Sequence, residues 1–245
     1  MIDYSNNNLN SEANVEQSQV QVSVKSFLSN VFTYMAGALA LTGVLAYWFG
    51  TTPSLLGYLV NFETGGMNIL GYIVMFAPLA FVLVMSFAFN KLSSFTLLLL
   101  FIVYAAVMGV SFSFIFLAYT ASSIASTFFI TSATFGVMAV LGYTTKQDLT
   151  KFGSILFMAL IGIIIASVVN MFMGSELMDY IISCVGVLVF TGLTAYDVQK
   201  LKRIGSGVEF GSESANKLAI MGALNLYLDF VNLFLMLLRL FGDRR

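Results

Sequence analysis

The sequence predicts an all-α integral membrane protein with seven transmembrane helices. Of its 245 residues, 59% are hydrophobic and only 9% are charged, and the mean hydropathy is +0.92. Soluble domains carry about 25% charged residues, so lipid rather than water is the expected solvent for most of the surface. The apolar residues are also grouped into runs of about 20, the length that crosses a hydrocarbon core.

The first 24 residues differ from the rest of the chain and predict a disordered, polar cytoplasmic tail. This stretch is rich in Asn, Gln and Ser, carries Asp3, Glu12 and Glu16, and contains no long apolar run. Such a segment buries too little apolar surface to offset the entropy lost on ordering. It also lacks the basic region and apolar core of a signal peptide. The tail, 1–24, is therefore expected to precede one transmembrane domain, 25–245.

Seven apolar runs follow the tail, and the first five contain no Asp, Glu, Lys or Arg. Runs of this length favour helices over barrel strands, which alternate in hydrophobicity over about 10 residues. Pro78 predicts a kink in the second helix. The boundary between the third and fourth helices is the least distinct, around Tyr119 to Ile124. The predicted spans are 27–49, 68–89, 95–118, 125–143, 152–173, 179–199 and 218–240.

The distribution of basic residues between the connecting segments predicts the orientation. Basic residues accumulate in cytoplasmic loops, and with the amino terminus inside, eight lie inside and three outside. This favours an inner amino terminus and an outer carboxyl terminus. The inner set is Lys25, Lys91, Lys146, Lys151, Lys200, Lys202, Arg203 and Lys217, and the outer set is Arg239, Arg244 and Arg245.

The scarcity of certain residue types excludes several classes of function. The formal net charge is −1, which gives no electrostatic basis for binding nucleic acid. Histidine is absent, so histidine acid–base catalysis and histidine metal ligation are excluded. Cys184, the single cysteine, cannot form an internal disulfide. Neither a nucleotide-binding glycine loop nor a catalytic serine elbow occurs, so we expect no cofactor and no enzyme activity.

Two acidic residues fall inside the predicted spans, Asp197 in the sixth and Asp229 deep in the seventh. An Asp at the centre of a membrane helix costs about 2.5–3.5 kcal/mol on the insertion scale and is by default a candidate functional residue. Asn225, Asp229 and Asn232 are spaced four and three residues apart, so they share one face of the helix. This polar stripe must face protein or water rather than lipid.

The two aspartates have a structural interpretation and a functional one. Asp229 could be a structural hydrogen-bonding residue, and Asp197, one turn from Lys200, could be an interfacial carboxylate. If the two carboxylates face each other in low dielectric, they cannot both ionise cheaply and can share a proton. When ionised, the pair would also offer oxygen ligands to a hard cation.

The depth of the two residues in the membrane is the difficulty with the paired interpretation. At about 1.5 Å per residue, Asp197 lies about 27 Å from Asp179 at the outer boundary, whereas Asp229 lies only about 15 Å from Arg239. Pairing then requires Arg239 to sit beyond the outer surface, or a break or strong tilt in one helix.

Three stretches of the chain resemble the Bax inhibitor-1 family of seven-helix transmembrane Bax-inhibitor-motif proteins, in particular its bacterial branch. They are Gly142-Tyr-Thr-Thr-Lys-Gln-Asp-Leu149, Thr191-Gly-Leu-Thr-Ala-Tyr-Asp-Val-Gln199 and Leu226-Tyr-Leu-Asp-Phe-Val-Asn-Leu-Phe234. The last is the most specific, and the resemblance extends over 27–242. It implies a multi-pass protein of the bacterial inner membrane whose last helix is central and wrapped by the other six.

The resemblance also implies a pH-sensitive passive calcium leak, with Asp197 and Asp229 as the gating and proton-sensing pair. Calcium would bind there transiently rather than at a tight metal site. Some family members carry an arginine near the inner end of the second helix that acts as a latch on this pair. Lys91 is the matching position and the candidate latch, but lysine lacks bidentate carboxylate geometry.

A second function is implied within the bacterial branch. Some of its members bind and restrain a membrane-anchored AAA-type protease, a role in which the amino-terminal tail matters. The polar tail 1–24 keeps this alternative open, in which the protein modulates a membrane protease or another quality-control partner and transports nothing.

Overall fold

The computed structural model describes the backbone of residues 4–209 and 211–244 and the side chains of residues 21–209 and 211–244. This part of the chain folds into nine helices and one small hairpin. The hairpin pairs β1 (Val60–Asn61) with β2 (Gly66–Met67) in antiparallel register. The helices are α1 (Tyr4–Thr51), α2 (Pro53–Leu56), α3 (Ile69–Phe87), α4 (Ser94–Phe112), α5 (Ile115–Ala118), α6 (Ala121–Thr144), α7 (Thr150–Met173), α8 (Glu176–Ser206) and α9 (Glu213–Phe241).

Seven segments are long and apolar enough to cross a membrane, which confirms the predicted fold class. They are Gln21–Thr51 of α1, α3, the stretch Ser94–Ala118 that contains α4 and α5, and α6 to α9. Several helices extend past the ends of the predicted spans, because polar turns continue them beyond the apolar runs. Thus α8 extends to Ser206 rather than 199, and α9 begins at Glu213 rather than 218. Serine side chains cap both helices, since Ser175 and Ser212 accept backbone N–H groups of the first turn.

The residues just before the first predicted span contact the rest of the protein. Helix α1 begins at Tyr4, and Val24 is already buried in the core. The hydroxyl of Ser23 donates a hydrogen bond to the carbonyl of Val208. Ser23 and Val24 therefore contact the transmembrane domain, and the division of the chain at residue 24 stays a prediction. The disorder predicted for the tail stays a prediction, since side chains before Gln21 lie outside the described part.

Helix α9 is the most buried of the seven apolar segments. In the apolar part of α9, 72% of the residues are buried, compared with 11% in α7. Helix α9 packs against α1, α4, α6 and α8, whereas α7 packs chiefly against α8. The wrapping of the last helix by all six others stays a prediction, but α9 has the most extensively buried apolar segment.

The carboxyl terminus folds back onto the connection between α5 and α6. The backbone N–H of Thr120 donates to the carbonyl of Asp243, and the N–H of Asp243 donates to the hydroxyl of Ser123. Tyr119 and Arg244 form an isolated antiparallel bridge. These contacts close the end of the molecule opposite the α8–α9 connection.

Candidate functional site

A cavity of about 470 Å³ lies between α7, α8 and α9. Its apolar walls include Phe157 and Ile163 of α7 and Phe190 and Leu193 of α8. The polar side chains that line it are Ser167, Asp197, Lys200, Asn225, Asp229 and Asn232. Both aspartates and both asparagines that the sequence singled out therefore line this cavity.

The packing of α8 against α9 sets the register that brings the aspartates together. Gly222 of α9 lies against Leu201 of α8, and a Cβ atom at Gly186 of α8 would lie 2.8 Å from the Met236 side chain of α9. In this antiparallel register, Asp197 lies opposite Asn225. Asp229 is therefore about one turn, or about 5 Å, further along α9.

The same register reduces the apparent mismatch in depth from about 12 Å to about one helical turn. Because Gly186 lies beside Met236, Arg239 of α9 lies level with α8 residues about one turn further along the chain than Asp179. A direct comparison of the helix ends would place Arg239 at the depth of Asp179. The register shows that the two residues lie at different depths. Neither a break in a helix nor a strong tilt is required for the two aspartates to meet.

Both carboxyl groups line the same cavity. Asp197 is 7% exposed and Asp229 is 6% exposed. Within the described part of the chain, Asp197 Oδ1 and Asp229 Oδ2 are buried and have no hydrogen-bond donor. Two ionised carboxylates cannot donate to each other, so a single proton between them would supply the missing donor. The arrangement can hold a proton or, when both groups are ionised, present oxygens to a cation.

Lys200 is the basic residue that the structure brings to this pair. It lies one turn after Asp197 on α8, lines the same cavity, and interacts electrostatically with the Asp197 carboxylate. Its spacing of one turn from Asp197 was visible in the sequence and supported the interpretation of Asp197 as an interfacial carboxylate, but Lys200 was not predicted to be part of the site.

Lys91, the candidate latch, does not line the cavity of the aspartates in this structure, and its latch role stays a prediction. It is exposed in the short turn between α3 and α4. The turn that carries Lys91 lies instead beside the start of α9, where Ser94 donates to Glu213 and the Lys217 ammonium lies 5.0 Å from the centre of the Phe89 ring.

The two asparagines extend the polar wall formed by the aspartates. Asn232 donates a hydrogen bond through Nδ2 to the carbonyl of Leu228, at 2.8 Å, and Asn225 lines the same cavity. Among the described residues, no group of three or more Asp, Glu, His or Cys side chains is placed to hold a metal ion. A cation at the pair would therefore need amide oxygens or water to complete its coordination.

Two of the three sequence motifs meet toward the carboxyl-terminal end of α8. Gly142 of α6 allows the backbone of α6 to approach the backbone of Ala195. Gln199 donates through Nε2 to the carbonyl of Gln147, and its Oε1 accepts the N–H of Leu149. The motif residues outside the aspartates thus hold α6, the α6–α7 connection and α8 together beside the site.

The comparisons with known proteins agree with this architecture. The sequence profile of the family described as "Inhibitor of apoptosis-promoting Bax1" matches residues 24–245. The inner membrane protein YbhL of Escherichia coli K12 is 45% identical over 228 residues, which cover 93% of this chain and 95% of that protein. An uncharacterized protein of Rickettsia prowazekii is 45% identical over 91% of each chain, and one of Borreliella burgdorferi is 43% identical over 94% of this chain and 97% of its own.

These relatives match nearly the full length of the membrane domain, and the range matched by the family profile, 24–245, spans all three motifs and both aspartates of this chain. The protein therefore belongs to the Bax inhibitor-1 family.

Proposed function

We propose that this protein is a passive, proton-sensitive leak pathway for cations, with calcium as the leading candidate, and that it has no enzyme activity. The observation that carries the proposal is the Asp197–Asp229 pair, which is buried in a cavity and has no other described donor for its enclosed oxygens. Location in the bacterial inner membrane is supported by the E. coli relative, which is called an inner membrane protein.

In the closed state, Asp197 and Asp229 share one proton. The proton supplies the hydrogen bond that neither ionised carboxylate can donate, and it reduces the charge buried in the membrane. The hydrogen bond also ties α8 to α9 from within the cavity. Closure is therefore favoured while the pair holds its proton.

In the open state, the pair has lost its proton. Two unit charges about 4 Å apart repel each other by about 4 kcal/mol at an effective dielectric constant of 20. This repulsion favours separation of the helices, and the freed carboxylate oxygens suit a hard cation such as calcium. Lys200 offsets part of the negative charge until a cation enters the cavity.

The test is calcium flux into liposomes that carry the purified protein, measured across a range of pH. Asp229→Asn keeps the size of the side chain, but the amide does not lose a proton in this range of pH. The pH response of the calcium flux should therefore disappear. We expect the pH-dependent part of the flux to fall by at least about tenfold, which corresponds to at least about 1.4 kcal/mol. Glu63→Gln is the matched control, since Glu63 is an exposed carboxylate in the β1–β2 hairpin.

If Asp229→Asn leaves both the flux and its pH response equal to those of Glu63→Gln, the paired mechanism is wrong. Reconstitution can be checked by the amount of protein in the liposomes and by its thermal unfolding, so a loss of flux is not confused with a loss of fold.

The rival function, a modulator of a membrane-anchored AAA-type protease without transport activity, is supported by the polar tail. Because Ser23 and Val24 contact the transmembrane domain, the informative deletion removes residues 1–20 and leaves the packed residues in place. Loss of protease binding with no flux in either form would favour the rival. Unchanged flux in the deleted protein would favour the leak pathway.

A further inference from the structure

A second and larger cavity, about 990 Å³ in volume, lies at the end of the molecule that carries the α8–α9 connection. It lies between the Gln21–Lys25 part of α1, the connection from α6 to α7, and the last turns of α8. We call it the inner cleft. None of its lining residues lines the cavity of Asp197 and Asp229, so it is a separate site.

The inner cleft has a strong excess of positive charge. Four basic residues line it, namely Lys25, Lys146, Lys202 and Arg203, against one acidic residue, Asp148. Hydrogen bonds from the side chain and backbone of Thr150 hold the pKa of Asp148 below its ordinary value, so Asp148 is ionised at neutral pH. Four positive charges against one negative charge leave an excess of three.

Two of the four cations are held by the protein itself. Arg203 lies 3.3 Å from Asp148 and also donates to Gln199. Lys202 donates to the carbonyl of Tyr143, at 2.8 Å, and its ammonium lies 4.8 Å from the centre of the Tyr143 ring. These contacts fix one wall of the cleft.

The other two cations are available to a ligand. Lys25 and Lys146 are both exposed, and neither forms an ion pair with the described residues. They extend from two different segments, α1 and the α6–α7 connection, into the same cleft. Two free ammonium groups on a fixed, positively charged wall are suited to an oxyanion with several acceptor oxygens, such as a phosphate group.

The position of the inner cleft in the membrane indicates the source of that phosphate. The predicted hydrocarbon spans that border the cleft begin or end at residues 27, 143, 152 and 199. Lys25, Lys146 and Lys202 lie just beyond these ends, at the depth of the lipid headgroups. Basic pockets at the cytoplasmic surface of membrane proteins are suited to anionic headgroups.

We propose that the inner cleft binds a phosphate group, presented by the headgroup of an anionic phospholipid. The phosphate oxygens contact Lys25 and Lys146, while Lys202 and Arg203 contribute their charge from the fixed wall. The site does not depend on transport, and it would hold α1 against the α6–α7 connection when occupied.

The test is lipid binding by the full-length protein in a neutral detergent. Binding is measured by native mass spectrometry and by thermal unfolding. Phosphatidylglycerol is titrated against phosphatidylcholine, and inorganic phosphate is titrated separately as the soluble source. The variant Lys25→Gln with Lys146→Gln removes the two free ammonium groups. Lys91→Gln with Lys151→Gln is the matched control, because it removes two exposed lysines outside the cleft.

We expect the wild type and the control to retain phosphatidylglycerol and to be stabilised by it more than by phosphatidylcholine. Loss of each cleft lysine should weaken this binding about fivefold, so the double variant should lose about 25-fold. Equal binding by the double variant and the control would overturn the proposal. If inorganic phosphate binds through the same lysines while phosphatidylglycerol is no better than phosphatidylcholine, the lipid source is overturned and the phosphate site remains.

Discussion

Asp197 and Asp229 meet although their backbones lie about one helical turn apart in the antiparallel register of α8 and α9. The direction of this offset explains why the two side chains can approach each other. In a helix, each Cα–Cβ bond tilts toward the amino terminus. The side chain of Asp197 therefore tilts toward the level of Asp229, and that of Asp229 tilts toward the level of Asp197. An offset of the same size in the other direction would point the two carboxyl groups apart.

The first prediction follows from the sharing of one proton by the two groups. Asp197→Asn and Asp229→Asn should each remove the pH response of calcium flux, and the double variant should add less than about twofold to the effect of either single variant. Residues that act as one unit are not additive. The measurement is liposome flux for the wild type and the three variants over the same pH range. Effects that multiply in the double variant would mean that each carboxylate titrates alone.

The second prediction concerns the positive charge beside the pair. Lys200 places a positive charge one turn from Asp197 in the same cavity, so Lys200→Gln should allow loss of the shared proton only at higher pH. We expect the midpoint of the flux to move upward by about one pH unit or less, because Lys200 is exposed. Lys200→Arg should restore the wild-type midpoint, and Lys151→Gln should leave it unchanged. A midpoint that moves downward would contradict the proposed role of Lys200.

The sequence predicted the number of helices and the two aspartates because both depend on local composition. Apolar runs of about 20 residues report a membrane helix without reference to its neighbours, and an acidic residue in such a run is conspicuous. The same reasoning predicted the polar stripe of Asn225 and Asn232, which lines the cavity in the structure.

The relative depth of the two aspartates could not be predicted, because it depends on how two helices slide past each other. That register is set by contacts such as Gly222 with Leu201, and composition does not reveal which glycine meets which side chain. Lys200 and Ser167 were missed as members of the site for the same reason. Their roles depend on the α7–α8–α9 packing, whereas their local sequence suggests only a loop charge and a small packing residue.

The third prediction uses two glycines on the same helix. A Cβ atom at Gly142 would lie 2.9 Å from the backbone carbon atoms of Ala195, whereas one at Gly136 would meet nothing within 4 Å. Gly142→Ala should therefore force α6 away from α8 and destabilise the protein by about 1–3 kcal/mol. Gly136→Ala should be neutral or stabilising by up to about 1 kcal/mol, since alanine favours helix. Thermal unfolding in detergent measures both. Equal unfolding temperatures for the two variants would show that α6 and α8 can separate without loss of stability.

The fourth prediction tests the connection between Gln199 and the α6–α7 segment. Gln199 is 8% exposed and bonds to the carbonyl of Gln147, at 2.7 Å, and the N–H of Leu149, at 2.8 Å. Gln199→Leu keeps the apolar volume but leaves both backbone groups without this partner. The loss should cost about 1–3 kcal/mol.

Hydrogen exchange at residues 145–149 is the direct measurement, and exchange there should accelerate about 5- to 150-fold if the lost energy appears as local opening. Gln147→Ala is the control, since only the backbone of Gln147 takes part in the contact with Gln199. Faster exchange in both variants would mean that the segment is held by its own side chains rather than by α8. Faster exchange in Gln199→Leu alone would establish that one side chain, two residues after Asp197, fixes the wall between the aspartate cavity and the inner cleft.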